Sequence, residues 1–275
     1  MKAVPLRRYV ITAYLTFWVM VLGLCGTASM VFHAPPLVMR ILADVCAWSP
    51  TIVLFCMWNQ LRPAQTRRAF VASCFSGRIT WYVPLLLAVI VSGGVLVSVS
   101  VLSVLEHRAF MSYVSTGGWS LPASILLSVF SGPTGEELGW RGMLFPLLCK
   151  RMSQRAAVLV SGVIWGLWHA PVIAMGHNYG MGYPGFPIAG ILMMVLACIA
   201  MGSIMSYLRL RTGSVWPCAL AHGAVNATAS IGVLFCTAGF TLLGPNMLGL
   251  LAGLPMIAVG IVCWLRMPIA DQGDA

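Results

Sequence analysis

Eight apolar stretches follow one another along this chain, at roughly 9–32, 37–61, 80–105, 120–148, 157–176, 187–208, 215–236 and 246–266. Most are long enough to cross about 30 Å of hydrocarbon as a helix, and such a solvent leaves few choices of backbone. Every N–H and C=O must be satisfied internally, so only helices or a closed barrel remain. A barrel would alternate apolar and polar residues, and these runs are continuous. The chain therefore reads as an all-α, polytopic transmembrane helical bundle of about eight spans. Charged residues make up 8% of the 275 residues, against about 25% in soluble domains. No polar stretch is long enough for a soluble domain, so residues 1–275 form a single integral membrane domain.

The interruptions alternate in charge. Lys2, Arg7, Arg8, Arg62, Arg67, Arg68, Arg78, Lys150, Arg151, Arg155, Arg209, Arg211 and Arg266 fall in one set of connections, and only Arg108 in the other. Positive charge marks the cytoplasmic side, which places both termini there. The same distribution accounts for the net charge of +10 without a nucleic-acid partner. The first stretch follows basic residues but exceeds a signal-peptide core, and is read as a retained span. Nine cysteines lie mostly in apolar runs without a C-x-x-C pair, as buried thiols rather than zinc ligands or disulfides. Missing retention signals favour a bacterial inner membrane.

An ionisable side chain at the centre of a bilayer costs about 3 kcal/mol on insertion scales, so the few that are there mark function. Arg40, Asp44, Glu136, Glu137, Arg141, His169 and His222 are those few. Arg40 and Asp44 read as an ion pair near the outer end of the second span, with the arginine reaching outward. Counting at 1.5 Å per residue puts Glu136 and His169 each roughly 18 Å from the cytoplasmic end of its span. His222 falls at roughly 10 Å and Asn226 at roughly 16 Å. Four polar groups from three spans thus reach a similar depth, and one buried cluster is expected.

Spacing within the spans agrees. His222 and Asn226 share a face at i and i+4, and so do Glu137 and Arg141. Glu136 points about 100° away from Glu137, so Glu137 is assigned to a structural pair with Arg141 and Glu136 to the cavity. Gly132, Gly135, Gly139 and Gly142 allow close helix approach around them. A carboxylate beside an imidazole can deprotonate water, and a second imidazole with a carboxamide can donate to an oxyanion. That set suits hydrolysis of an acyl bond, above all a peptide. Glu136, His169 and His222 could instead hold a zinc ion with an open position for water, although no H-E-x-x-H is present. A G-x-S-x-G elbow is missing, and Asp44 is the sole intramembrane aspartate, which excludes a two-aspartate protease.

The order E-E-x-x-x-R (Glu136, Glu137, Arg141), W-x-x-x-H (Trp165, His169) and H-x-x-x-N (His222, Asn226) resembles the CPBP family. That family contains the type II CaaX prenyl endopeptidases and the bacterial Abi and bacteriocin-processing proteins. The resemblance covers about 120–230, which would be the catalytic core. It implies an intramembrane endopeptidase cutting a membrane-associated peptide or protein near the cytoplasmic leaflet. Glu136 and His169 would activate the water, His222 and Asn226 would bind the oxyanion, and Glu137 and Arg141 would support them. Trp165 stands where the family usually has phenylalanine, a change expected to alter pocket shape more than chemistry. A metal-free, glutamate-activated reaction is the preferred reading, with no cofactor and zinc as its alternative. A non-proteolytic membrane scaffold of the same fold and a proton-coupled carrier are the competing functions.

Overall fold

The computed structural model describes residues 4–61, 65–78, 80–113, 132–235, 243–244 and 249–268. Among them every regular element is helical. The labelled helices are α1 (Val4–Met20), α2 (Pro36–Cys46), α3 (Ser49–Cys56), α4 (Arg67–Phe75), α5 (Tyr82–Leu105), α6 (Gly132–Gly139), α7 (Gln154–Trp168), α8 (Ile188–Thr212), α9 (Trp216–Phe235) and α10 (Leu250–Leu265). Helix α1 runs on through a π segment, Val21–Gly26, to Thr27–Met30.

Four described helical stretches are long and apolar enough to cross a membrane: Pro5–Met30, Val38–Cys56, Tyr82–Leu105 and Ile188–Thr212. The expected second span is bent rather than straight, because Pro50 opens α3 directly after the turn at Ala47 and Trp48. The expected fifth span also stops early. Pro171 lacks an N–H and crowds the preceding turn, so α7 ends at Trp168 and a short helix, Ala170–Ala174, follows His169. Residues 67–75, expected in a connection, form α4 instead, with the Thr66 hydroxyl accepting the Ala69 N–H at 3.2 Å. Of the expected fourth span, 120–131 lie outside the described residues.

The connections expected on one side of the membrane meet. Val215 N–H and the Ser214 hydroxyl both donate to the Cys74 carbonyl, at 2.8 and 2.7 Å. Arg155 donates to the Met267 carbonyl at 3.2 Å, and the Trp264 indole returns a bond to the Arg155 carbonyl at 3.1 Å. Between α8 and α9 the chain turns at Gly213, whose φ of 70° suits a residue without Cβ.

Helix α8 lies along α7 and α10, α9 along α5 and α6, and α1 along α3. Lipid supplies no hydrophobic drive between helices, so close backbone approach has to hold them. Gly162 and Gly166 provide it on α7: a Cβ at Gly162 would sit 2.7 Å from Ile199 Cα, and one at Gly166 would collide with Val195. One cluster of buried apolar side chains extends from Leu6 to Met267, so the site is set inside a shared core.

Candidate functional site

Helix α6 supplies the two glutamates, and a π segment, Trp140–Leu144, continues it. The wider π turn begins three residues after Glu137 and carries Arg141, a position where such turns often serve a site. Small residues let α3 approach. A Cβ at Gly135 would lie 2.5 Å from the Trp48 ring, and one at Gly139 would overlap Pro50. The Thr51 hydroxyl donates to the Gly135 carbonyl at 2.5 Å. On the other side, α1 contributes three donors to carbonyls of the site helices. The Tyr9 hydroxyl lies 3.1 Å from the carbonyls of Gly139 and Pro50, Tyr14 donates to Ile164, and the Trp18 indole donates to Trp168 at 3.2 Å.

Glu136, Glu137, Arg141, Trp165 and His222 are all buried and come together by direct contact. Arg141 Nη1 donates to Glu137 Oε1 at 3.0 Å, as the spacing had indicated. His222 Nδ1 approaches that same oxygen at 3.0 Å. The Arg141 guanidinium also lies over the Trp165 ring, 4.4 Å from its centroid. Glu137 is therefore the junction of α6 and α9, a wider part than the pair with Arg141 expected for it. No pattern in the sequence carries the His222 contact, because it depends on how α9 is rotated.

Glu136 faces a different neighbour, as its angle to Glu137 requires. Its Oε2 accepts the Trp165 indole N–H at 2.6 Å. The carbonyl of the same Trp165 lies 2.9 Å from His169 Nδ1. A carbonyl only accepts, so Nδ1 carries the proton and Nε2 is the unprotonated nitrogen of the neutral ring. Glu136 and His169 do not bond to each other; Trp165 holds both. A phenylalanine in this place would have no N–H to offer Glu136, a contact that the sequence expectation of an aromatic wall did not include.

His169 is half-buried at the break after α7, with the Trp168 ring edge-on at 4.7 Å and Cys198 Sγ 4.0 Å from Nδ1. The His222 ring meets Trp165 edge-on at 5.1 Å. Asn226 follows one turn later on α9, half-buried. Six of the seven residues singled out from the sequence are thus joined by contacts, and Asn226 lies one turn beyond His222 on α9. Among the described residues, no three His, Cys, Asp or Glu side chains are disposed to hold a metal ion, the set of Glu136, His169 and His222 included.

Residues 118–228, which contain all seven, match the model of the type II CAAX prenyl endopeptidase Rce1-like family. This segment is thus similar to the type II CAAX prenyl endopeptidases. The chain is also 31% identical over 121 residues to CAAX prenyl protease 2 of Methanococcus maripaludis. That similarity covers 42% of this chain and 45% of the relative, so the chain spans less than half of the relative's length. The matched segment takes in α6, α7 and α8 and most of α9; α1 to α5 and α10 lie outside it.

Proposed function

We propose that this protein is an intramembrane endopeptidase that hydrolyses a peptide bond in a membrane-associated peptide or protein, without a covalent intermediate. The observation that carries this reading is the double hold of Trp165 on Glu136 Oε2 and His169 Nδ1, which engages one oxygen of the carboxylate and one nitrogen of the imidazole through a single residue. His169 Nε2 and Glu136 take a proton from water, and the resulting hydroxide adds to the peptide carbonyl. His222 is held through Nδ1 by Glu137 Oε1 at 3.0 Å, which fixes the orientation of its ring. The His222 ring and the Asn226 amide then face the oxyanion as its partners, and the proton held by His169 and Glu136 passes to the leaving amine.

The chain crosses the membrane about eight times with both termini cytoplasmic, in a bacterial inner membrane, as one domain of 275 residues. The pairing of 74–78 with 212–215, and of Arg155 with Met267, supports the shared side of those connections. The reaction needs no metal on this reading. Dialysis against a chelator is expected to leave turnover unchanged, and loss restored by zinc would favour a metal-dependent route.

A prenylated C-terminal CaaX peptide is the first substrate to try, given the name of the archaeal relative. The purified protein in proteoliposomes should cleave it, and Glu136→Gln should abolish turnover while elution and thermal unfolding stay as in the wild type. Full turnover by the folded Glu136→Gln protein would defeat the reading. Retention of biological function by Glu136→Ala and His169→Ala would point to a scaffold instead.

A further inference from the structure

Trp165 touches four of the other six site residues, each in a different way. Its indole N–H bonds Glu136 Oε2 at 2.6 Å, and its carbonyl bonds His169 Nδ1 at 2.9 Å. Its face lies under the Arg141 guanidinium at 4.4 Å, and the His222 ring stands against it at 5.1 Å. The residue is itself 2% exposed. It is fixed from behind because α7 packs on α8 through Gly162 and Gly166, so ring and carbonyl move as one body.

We infer that Trp165 is a positioning residue which sets Glu136 and His169 in register through one side chain and its own backbone. The inference rests on the hydrolytic reading above and adds a part that a phenylalanine at this position lacks. A carboxylate has two oxygens and free rotation about its last bond. The indole N–H engages Oε2 and so directs the other oxygen, while the carbonyl selects the imidazole tautomer with Nε2 unprotonated. Without the N–H, the carboxylate keeps its place on α6 and loses its rotational setting. The loss falls on turnover more than on substrate binding, since the group being oriented acts on water.

Two substitutions separate this from a role in shape. Trp165→Phe removes the N–H and trims the ring. Trp165→3-benzothienylalanine keeps the bicyclic shape and replaces N–H by sulfur. Both are expected to lower kcat by about tenfold to a hundredfold, the range for a hydrogen bond to a charged group, with KM within about twofold. The benzothienyl protein is expected to unfold at the wild-type temperature. Wild-type kcat in that variant overturns the inference, as does a loss confined to KM.

A second measurement does not depend on turnover. With 15N-tryptophan labelling, the Trp165 indole resonance is identified by its loss in Trp165→Phe. It is expected to shift upfield in Glu136→Ala, where its acceptor is gone, and to stay in place in Asp44→Asn. An unmoved resonance in Glu136→Ala overturns the positioning role. Failure of the wild-type protein to cleave any peptide defeats the protease reading instead, and the resonance then decides the Trp165–Glu136 bond by itself.

Discussion

Two acid–base pairs in this chain have the same spacing and opposite surroundings. Arg40 and Asp44 on α2 are four residues apart, as are Glu137 and Arg141 on α6 and its π segment. The first pair is 34% and 15% exposed with 3.4 Å between its atoms; the second is 1% and 0% exposed at 3.0 Å. The second is closed in by side chains from two further helices. His222 from α9 shares the Glu137 oxygen, and the centroid of the Trp165 ring from α7 lies 4.4 Å from the guanidinium carbon. Spacing along one helix announces a pair, and convergence from other helices turns it into a site. A buried pair is no gain in itself, because desolvation offsets much of its attraction, but breaking one leaves a bare charge.

The contrast can be broken most directly at Arg141. Arg141→Met is expected to cost about 3–5 kcal/mol by removing the cation of a buried pair and leaving Glu137 to His222, read as unfolding free energy in mixed micelles or bicelles. A cost under about 1 kcal/mol would place the two pairs in one class. His222→Leu removes the second partner of Glu137 and is expected to cost about 1.5–3 kcal/mol in the same measurement. Gly135→Ala probes the wall behind the pair. Its new Cβ meets the Trp48 ring, and overpacking should cost about 1–3 kcal/mol while leaving the ion pair chemically intact. Asp44→Asn is the smallest, under about 1 kcal/mol, as for other partly exposed pairs.

The legible part of the site was the part written along single helices. The Glu137–Arg141 pair and the divergence of Glu136 from Glu137 both follow from 100° per residue, and both are present. Depth counting brought α6, α7 and α9 to one neighbourhood because rise per residue survives local irregularity. Rotation of one helix about its own axis does not announce itself in a uniformly apolar sequence. For that reason the His222–Glu137 and Trp165–Glu136 bonds were missed, and Trp165 was taken for a wall. Breaks were missed for a related reason. Pro50 and Pro171 lie within runs whose hydropathy never falters, so apolar length concealed the bend in one and the early stop at His169 in the other.

The contacts made by α1 bear on what kind of unit the matched segment is. Gly139, Ile164 and Trp168 offer carbonyls near places where the site helices change geometry, and Tyr9, Tyr14 and Trp18 answer them from a helix that the family match does not include. A chain trimmed to 118–228 would keep every charged group of the site and forfeit the hydrogens that let its backbone deviate there. The matched segment is thus not a cassette that can be lifted into another scaffold. Any graft of this chemistry would have to carry along a helix more than a hundred residues away in sequence, whose contribution is three side-chain donors and no charge.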